Sequence, residues 1–264
     1  MKKLFLAIGV LWTAGLGLAQ ARVIGREMDY KAGDTVLKGY LAYDTAFKGP
    51  RPGVLVVHEW WGNNDYSHRR ARQLARLGYT AFALDMYGEG RHADTTDQAG
   101  KLSGEVMGNM VVAKARFDAA LAVLRAQETV DPSDVGAIGY CFGGGIVLNM
   151  ARMGEDLKGV VSFHGNLSAK VMAQPGQIKT QILVCQGGAD AYSPPAQLQV
   201  FKKEMADAGA NLQVIVYPGA QHAFTNPAAT GLGKKFKIAI AYDKEADVKS
   251  WSDMRRFLKI TLGR

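Results

Sequence analysis

Six short runs of apolar residues constrain the fold of this chain more than any other feature of its sequence. They follow Pro52, and they are rich in valine and isoleucine. Continuous apolar runs of about six residues are typical of strands buried on both faces of a parallel sheet. The runs are GVLVVH (53–58), TAFALD (80–85), VGAIGY (135–140), GVVSFH (159–164), QILVCQ (181–186) and LQVIVY (212–217). The sequence therefore predicts a largely parallel sheet.

Segments with helical periodicity separate several of these runs. Apolar residues recur at three- and four-residue steps in 110–124, 194–208 and 243–262. An earlier segment, 35–43, alternates apolar and polar residues, which is typical of a half-exposed antiparallel strand. Strands that alternate with helices predict right-handed βαβ units and an α/β fold with a doubly wound sheet. Because no internal repeat or linker interrupts the pattern, we predict one domain over 22–264.

The N-terminus has the features of a signal peptide. Lys2 and Lys3 precede an apolar run over 4–18, and small residues then end the segment as Ala19-Gln20-Ala21. This pattern predicts cleavage after residue 21, and the apolar run is shorter than a membrane-spanning helix requires. An uncleaved anchor is the alternative. We expect a secreted protein of the bacterial periplasm, with no stable membrane insertion after cleavage.

The charge pattern argues against a nucleic-acid partner. The formal net charge is +8, but the lysines and arginines are scattered and form no run of five. A nucleic-acid groove requires clustered basic residues and exposed aromatic side chains. We expect a soluble basic surface, which is also compatible with an acidic substrate or an anionic envelope surface.

Most of the chemically unusual residues follow the predicted strands. In a parallel sheet the ligand site lies beyond the carboxyl ends of the strands, so these residues are predicted to share one edge. They are His58-Glu59, Asp85, Tyr140-Cys141, His164, 186–190 and Gln221-His222.

Cys141 is the candidate nucleophile. It is the third residue of the sequence GYCFGGG (139–145), which lies between a predicted strand and a predicted helix. Glycines two residues before and two after the cysteine allow the sharp turn of a nucleophile elbow. The N-terminus of the following helix favours negative charge on the thiol. The alternative is a glycine-rich turn around a buried cysteine.

His222 and Asp190 are the candidate base and its orienting acid. His222 follows the last apolar run, far downstream of Cys141, which is the chain order of α/β-hydrolase triads. Asp190 follows the run 181–186, where a carboxylate can fix the histidine tautomer. Asp85 and Asp207 are weaker candidates for this acid, and a helix-capping role is the alternative for Asp190.

The sequence His58-Glu59-Trp60-Trp61-Gly62 follows the first apolar run. It is not H-E-x-x-H, since glycine stands where the second histidine would be, so we expect no metal. In α/β-hydrolases the loop at this position donates one backbone N–H to the oxyanion hole, and the residue after the nucleophile donates the other. We therefore predict Trp60 and Phe142 as oxyanion donors, with Glu59 at the pocket floor beside the thiol.

Together these motifs resemble the dienelactone hydrolase family. The chain carries H-E-x-x-G, D-x-Y-G, G-Y-C-F-G-G, G-x-x-D-x-x-x-P and Y-x-G-x-x-H-x-F in order, and the resemblance spans about residues 25–262. It implies an α/β-hydrolase fold, a mostly parallel eight-stranded sheet flanked by helices, with no separate cap domain. It also implies a triad of Cys141, Asp190 and His222, with Glu59 next to the resting thiol.

Two positions depart from this family pattern. The resemblance implies arginines that hold a substrate carboxylate, two residues after the tyrosine of D-x-Y and four after the triad histidine. This sequence has Glu89 and Asn226 there, and Arg91 is the nearest candidate substitute. We therefore expect neutral esters or lactones to be preferred over dienelactone itself.

Further residues are predicted to line the substrate pocket, and one segment to lie near it. The pocket residues are Glu59, Trp61, Tyr87, Arg91, His164 and Phe224. The stretch 227–237 has glycines, lysines and no clear period, so it is interpreted as a surface loop. Cys141 and Cys185 end or lie within apolar runs, and we expect no disulfide between them.

The predicted function is hydrolysis of a carboxylic ester or lactone through a thioester on Cys141. The expected partners are a small ester or lactone substrate and water, without a cofactor. Three alternatives remain open: a general esterase or thioesterase without lactone preference, a non-catalytic binding protein on the same fold, and a redox thiol protein. The last lacks a C-x-x-C pair.

Overall fold

The computed structural model describes residues 23–263. The predicted signal peptide, residues 1–21, lies outside the described residues. Eight strands form one sheet: β1 (Val23–Ala32), β2 (Thr35–Asp44), β3 (Arg51–Val57), β4 (Thr80–Leu84), β5 (Val130–Tyr140), β6 (Gly159–Phe163), β7 (Gln181–Gly187) and β8 (Leu212–Tyr217). The helices are α1 (Asp65–Arg76), α2 (Thr96–Met107), α3 (Met110–Arg125), α4 (Phe142–Arg152), α5 (Pro195–Asp207), α6 (Ala229–Phe236) and α7 (Lys244–Leu262).

The sheet is mostly parallel, as the sequence predicts. Its strand order is β1-β2-β4-β3-β5-β6-β7-β8. Strand β2 runs antiparallel to both of its neighbours, and every other pairing is parallel. The six apolar runs form β3 to β8, and the alternating segment 35–43 forms β2, so the predicted fold class is confirmed. Residues 23–263 contain no separate cap domain.

Helices cover both faces of the sheet and define two apolar cores. On one face α3, α4 and α5 pack against side chains such as Leu55 and Val57 of β3. On the other face α1 and α7 pack against the alternate residues Val54 and Val56. Successive side chains of a strand point to opposite faces, so one short apolar run supplies both cores. The prediction of a doubly wound sheet is confirmed.

Strand β3 lies between β4 and β5 and marks the point at which the order of the strands reverses. From β3 the chain crosses to β4 on one side, and later returns to β5 on the other. Loops that follow strands at such a point diverge and leave a crevice at the carboxyl edge of the sheet. The loop after β3 and the turn after β5 therefore face each other there.

Three details of the sequence-based interpretation change. The stretch 227–237 is not simply a loop, because 229–236 form α6, whose Leu232 and Phe236 pack against the cluster around Trp61. The run 212–217 forms the edge strand β8, so it is only partly buried, and Val216 is exposed. Strand β1, which pairs along its whole length with β2, was not predicted. Among residues 23–263, no helix combines the length and apolarity needed to cross a membrane.

Candidate active site

Cys141 lies at the tight turn between β5 and α4. Its backbone has φ 53° and ψ −114°, a conformation with positive φ that a non-glycine residue rarely adopts. The turn requires glycine on both sides. A Cβ at Gly139 would lie 2.1 Å from the Gly143 carbonyl oxygen, and one at Gly143 would lie 2.3 Å from the Val57 carbonyl oxygen. This close approach to β3 holds the start of α4 against the sheet and projects the thiol at its edge.

The structure brings the thiol, an imidazole and a carboxylate into one line of contacts. The Nε2 atom of His222 lies 3.1 Å from Sγ of Cys141. Its Nδ1 atom lies 2.9 Å from Oδ2 of Asp190. Cys141 follows β5, Asp190 follows β7 and His222 follows β8, so the carboxyl edge of the sheet supplies all three groups. Both Sγ and carboxylate contacts are within hydrogen-bond distance.

Asp190 is held firmly in this arrangement. Its Oδ2 also accepts a hydrogen bond from Nε2 of Gln186 at 2.9 Å, and its Oδ1 accepts one from the backbone N–H of Tyr192 at 2.8 Å. The N-cap of α5 is Pro194, so Asp190 does not cap that helix. The ring of Tyr192 packs edge-on against His222, with centroids 5.0 Å apart. Sequence reasoning did not identify the role of Tyr192 as a neighbour of the imidazole.

Opposing effects act on the charge of His222. Burial disfavours the imidazolium, but the interactions with Cys141 and Asp190 outweigh this effect and raise the pKa of His222 well above its usual range. The imidazole therefore favours holding a proton between the sulfur and the carboxylate.

The loop after β3 lies against the start of α4. The N–H of Gly143 donates to the His58 carbonyl oxygen at 3.1 Å, and the Tyr87 hydroxyl donates to the Trp60 carbonyl oxygen at 2.9 Å. Among residues 23–263, neither the N–H of Trp60 nor that of Phe142 donates a hydrogen bond to another group. The two oxyanion donors predicted from the sequence are therefore without a partner in this part of the chain.

A cavity of about 210 Å³ opens over Cys141. Most of its wall is apolar, and no lysine or arginine of residues 23–263 lines it. Helix α6, the segment interpreted from the sequence as a loop, supplies part of this wall. The apolar lining includes Trp60, Trp61, Met107, Phe142, Leu232 and Ile240. The polar lining includes Glu59, Asn166, His222 and Asn226.

Glu59 is the acidic side chain of the cavity wall. Its Oε2 accepts a hydrogen bond from the Asn226 amide at 2.6 Å, whereas its buried Oε1 has no partner among the described residues. Burial, only partly offset by Asn226 and by the charges of His222 and Arg70, raises the pKa of Glu59 to about 7. An amide thus stands where the family pattern implies a cation.

Four side chains predicted to line the pocket do not reach it, so that part of the prediction is wrong. Tyr87 is buried behind Trp60, and Phe224 packs into the core formed with α1 and α7. Arg91 turns away, donating to the Tyr87 carbonyl oxygen and pairing with Glu105 at 3.4 Å. His164 is fully buried beneath Cys141.

Glu59 and Trp61 do line the cavity, together with the candidate oxyanion residues Trp60 and Phe142. Of the two positions that depart from the family pattern, Asn226 lines the cavity and Glu89 is exposed outside it. Sequence reasoning missed Ser103 and Met107, because α2 was not predicted. The N-cap Thr95, which accepts from the Gln98 N–H, is the local signal that could have located that helix.

The fold and the site together define an α/β-hydrolase. The topology matches that of an α/β-hydrolase from a deep-sea metagenome, with a TM-score of 0.66. The match covers 91% of this chain and 99% of the other, at 16% sequence identity. At that identity the likeness concerns the fold alone.

The chain belongs to the dienelactone hydrolase family, whose model matches residues 37–262. A crystal structure of a dienelactone hydrolase-like promiscuous phosphotriesterase from metagenomic libraries is 35% identical, with a TM-score of 0.84 over 90% of this chain and 98% of that one. A protein of Methylorubrum extorquens that bears a provisional carboxymethylenebutenolidase name is 31% identical over 76% of this chain and 72% of its own length. Protein usf of Aquifex pyrophilus is 31% identical over 77% of this chain and 88% of its own length. The protein is thus an enzyme, a hydrolase of carboxylic esters or lactones.

Proposed function

We propose that this enzyme cleaves neutral, apolar carboxylic esters or lactones through a thioester formed on Cys141. The observation that carries the proposal is the line of contacts from Sγ to His222 and from His222 to Asp190, at 3.1 and 2.9 Å, beneath an apolar cavity. A nucleophile in contact with a base, which a third group orients, is the arrangement that covalent catalysis requires.

The reaction has an acylation and a deacylation step. The Cys141 thiolate attacks the carbonyl carbon, and the resulting oxyanion accepts hydrogen bonds from the N–H groups of Trp60 and Phe142. The intermediate collapses to a thioester as the His222 imidazolium donates its proton to the leaving alcohol oxygen. Neutral His222 then takes a proton from water, whose oxygen attacks the thioester. The acid leaves, and the thiolate–imidazolium pair is restored.

The cavity wall favours an uncharged substrate. No lysine or arginine among residues 23–263 lines it, and Glu59 introduces a carboxyl group that repels an anion when ionised. A carboxylate that enters a partly dehydrated site without a paired cation loses solvation without compensation. The missing charge-assisted contact is worth about 1.5–3 kcal/mol, or roughly ten- to a hundredfold in kcat/KM.

The test compares kcat/KM for dienelactone with that for a neutral lactone and an aryl acetate of similar size. We expect the neutral substrates to be favoured at least tenfold on this argument. Arg91→Ala is the matched control, because Arg91 lies outside the cavity and its loss should leave the ratio unchanged. Better turnover of the anionic lactone, abolished by Arg91→Ala, would assign the carboxylate to Arg91 and contradict the proposed substrate class. A ratio near one would identify a general esterase.

A neutral phosphotriester is a second candidate substrate. The 35% identical relative is described as a promiscuous phosphotriesterase, and an apolar cavity that no lysine or arginine of residues 23–263 lines suits an uncharged triester. An aryl dialkyl phosphate added to the same panel tests this activity. Turnover that Cys141→Ala abolishes would support it, and turnover that survives this substitution would place it outside the Cys141 site.

A further inference from the structure

His164 lies directly beneath the nucleophile and outside the substrate cavity. It is the first residue after β6, it is fully buried, and its backbone φ is 39°. Its Nδ1 atom lies 3.1 Å from the backbone nitrogen of Cys141, whose N–H it accepts. The same N–H points to the Phe163 carbonyl oxygen at 3.0 Å. The residue with positive φ at the turn is therefore anchored by two acceptors, one from the last residue of β6 and one from the residue after it.

The other nitrogen of His164 contacts the segment that carries the candidate base. Nε2 lies 2.7 Å from Oγ1 of Thr225, three residues beyond His222. Because Nδ1 accepts, Nε2 carries the ring proton and donates it to Thr225. The Thr225 hydroxyl is in turn 2.6 Å from the Tyr66 hydroxyl on α1. One ring thus connects the nucleophile turn to the His222 segment and to a helix.

The surroundings keep this ring neutral. Burial is the largest effect, and the nearby charges of His222 and Arg70 add to it, so the pKa of His164 is lowered well below its usual range. The ring also packs edge-on against His222, with centroids 5.2 Å apart. Protonation would remove the acceptor for the Cys141 N–H and place a second cation beside the imidazolium.

We propose that His164 is a positioning residue that joins the Cys141 backbone to the His222 segment and so sets the approach of Sγ to Nε2. It does not line the cavity, and its hydrogen bonds are to the Cys141 backbone and to Thr225 rather than to Sγ or to Nε2 of His222. The inference rests on the proposed function, because positioning matters only if Cys141 and His222 react together. A displacement of about 1 Å at reacting groups can reduce a rate by as much as a hundredfold.

Three substitutions separate the two contacts of the ring. His164→Phe keeps an aromatic ring at this position and removes both hydrogen bonds. His164→Asn retains an acceptor near the position of Nδ1, and Thr225→Val removes the hydroxyl that Nε2 contacts. Ser162→Ala is the matched control on β6, because the buried Ser162 hydroxyl has no partner among the described residues. All variants are compared per active site, after titration of the reactive thiol.

We expect His164→Phe to lower kcat by about ten- to a hundredfold with KM changed less than threefold. We expect His164→Asn to recover part of kcat. We expect Thr225→Val to lower kcat in the wild type but not in the His164→Phe background, because the effects of substitutions at coupled residues are not additive. A kcat within twofold of wild type for His164→Phe, or equal losses in Ser162→Ala, would overturn the proposal. If His164→Phe fails to fold, Thr225→Val decides by the same criterion.

Alkylation of Cys141 by iodoacetamide distinguishes this inference from the proposed function. Cys185 is fully buried, so the fast reaction reports Cys141, with Cys141→Ala as the blank. We expect His164→Phe to change the dependence of the alkylation rate on pH, whatever the enzyme hydrolyses. An unchanged profile contradicts the positioning role. Hydrolysis that persists in Cys141→Ala instead contradicts the proposed function.

Discussion

The side chain of Glu59 places a carboxyl group in a buried position where its hydrogen-bond partner is an amide rather than a cation. Asn226 donates to one oxygen at 2.6 Å, and the other oxygen has no partner among residues 23–263. Desolvation of a carboxylate favours its protonated form. The cavity wall is therefore set to change its charge near neutral pH, where the pKa of Glu59 lies at about 7.

Replacing Glu59 by glutamine should change the pH dependence of stability. Burial raises the pKa of Glu59 from 4.5 to about 7, so the folded state binds more protons than the unfolded state across this window. The wild type therefore loses stability as pH rises through the window, by up to about 3 kcal/mol in total. Glu59→Gln removes this loss, so its stability relative to wild type should increase from pH 4.5 to pH 8.

Urea unfolding at both pH values measures the difference. The exposed Glu128→Gln, which also removes one negative charge, is the control. A stability difference between Glu59→Gln and wild type that is the same at pH 4.5 and pH 8 would show that the carboxyl is solvated rather than buried.

Residue type and position alone did not determine which side chains enter the cavity. The sequence correctly predicts that residues after the strands form the site. His164, however, lies beneath the nucleophile, where its ring accepts the Cys141 N–H. Arg91 folds back onto the Tyr87 carbonyl oxygen. Such orientations depend on tertiary hydrogen bonds, which a pattern of apolar and polar residues does not encode.

At the scale of elements, the turn from β5 into α4 depends on the absence of side chains at its glycines. A Cβ at Gly139 would lie 2.1 Å from the Gly143 carbonyl oxygen, a backbone atom that cannot move without shifting the nucleophile. Gly100 in α2 offers a contrast, because a Cβ there has nothing within 4 Å. Glycine is therefore sterically required at position 139, whereas at position 100 the space would also admit alanine.

Gly139→Ala should destabilise the protein by about 3 kcal/mol and reduce kcat sharply, because the turn must open to admit the methyl group. Gly100→Ala should instead stabilise it by about 0.5–1 kcal/mol and leave kcat unchanged, since alanine is the better helix former. Thermal unfolding and steady-state kinetics measure both effects. Equal stability changes in the two variants would contradict the steric account of the turn.

The elements that the sequence predicts are those with a clear pattern of apolar residues. Strands β3, β4 and β6 are buried throughout, and β5 and β7 are buried over 135–140 and 182–187, so each of them contains a continuous apolar run. Helix α6 has only eight residues, with glycines among them, so it has no readable period, although tertiary packing against Trp61 and Ile240 orders it. Strand β1 was missed for a related reason, since it is an edge strand with many exposed residues.

At the scale of the whole molecule, one α/β-hydrolase domain of the dienelactone hydrolase family follows an N-terminal segment that the structure does not describe. We propose that export removes residues 1–21, on the pattern of basic residues, apolar run and Ala-Gln-Ala that the sequence carries. The intact mass of the protein from the envelope fraction of its host should then correspond to a chain that begins at Arg22. A full-length mass in that fraction would indicate an uncleaved anchor.

A thioester on Cys141 can be detected by mass spectrometry of the enzyme quenched during turnover of a slowly hydrolysed aryl ester. We expect the mass of the enzyme to increase by one acyl group, which peptide mapping locates on the peptide that contains Cys141 and which is absent from Cys141→Ala. In Cys141→Ala, hydrolysis should also fall by about a thousandfold or more, as expected on loss of a covalent nucleophile. Acylation at another residue, or undiminished turnover by Cys141→Ala, would contradict the account.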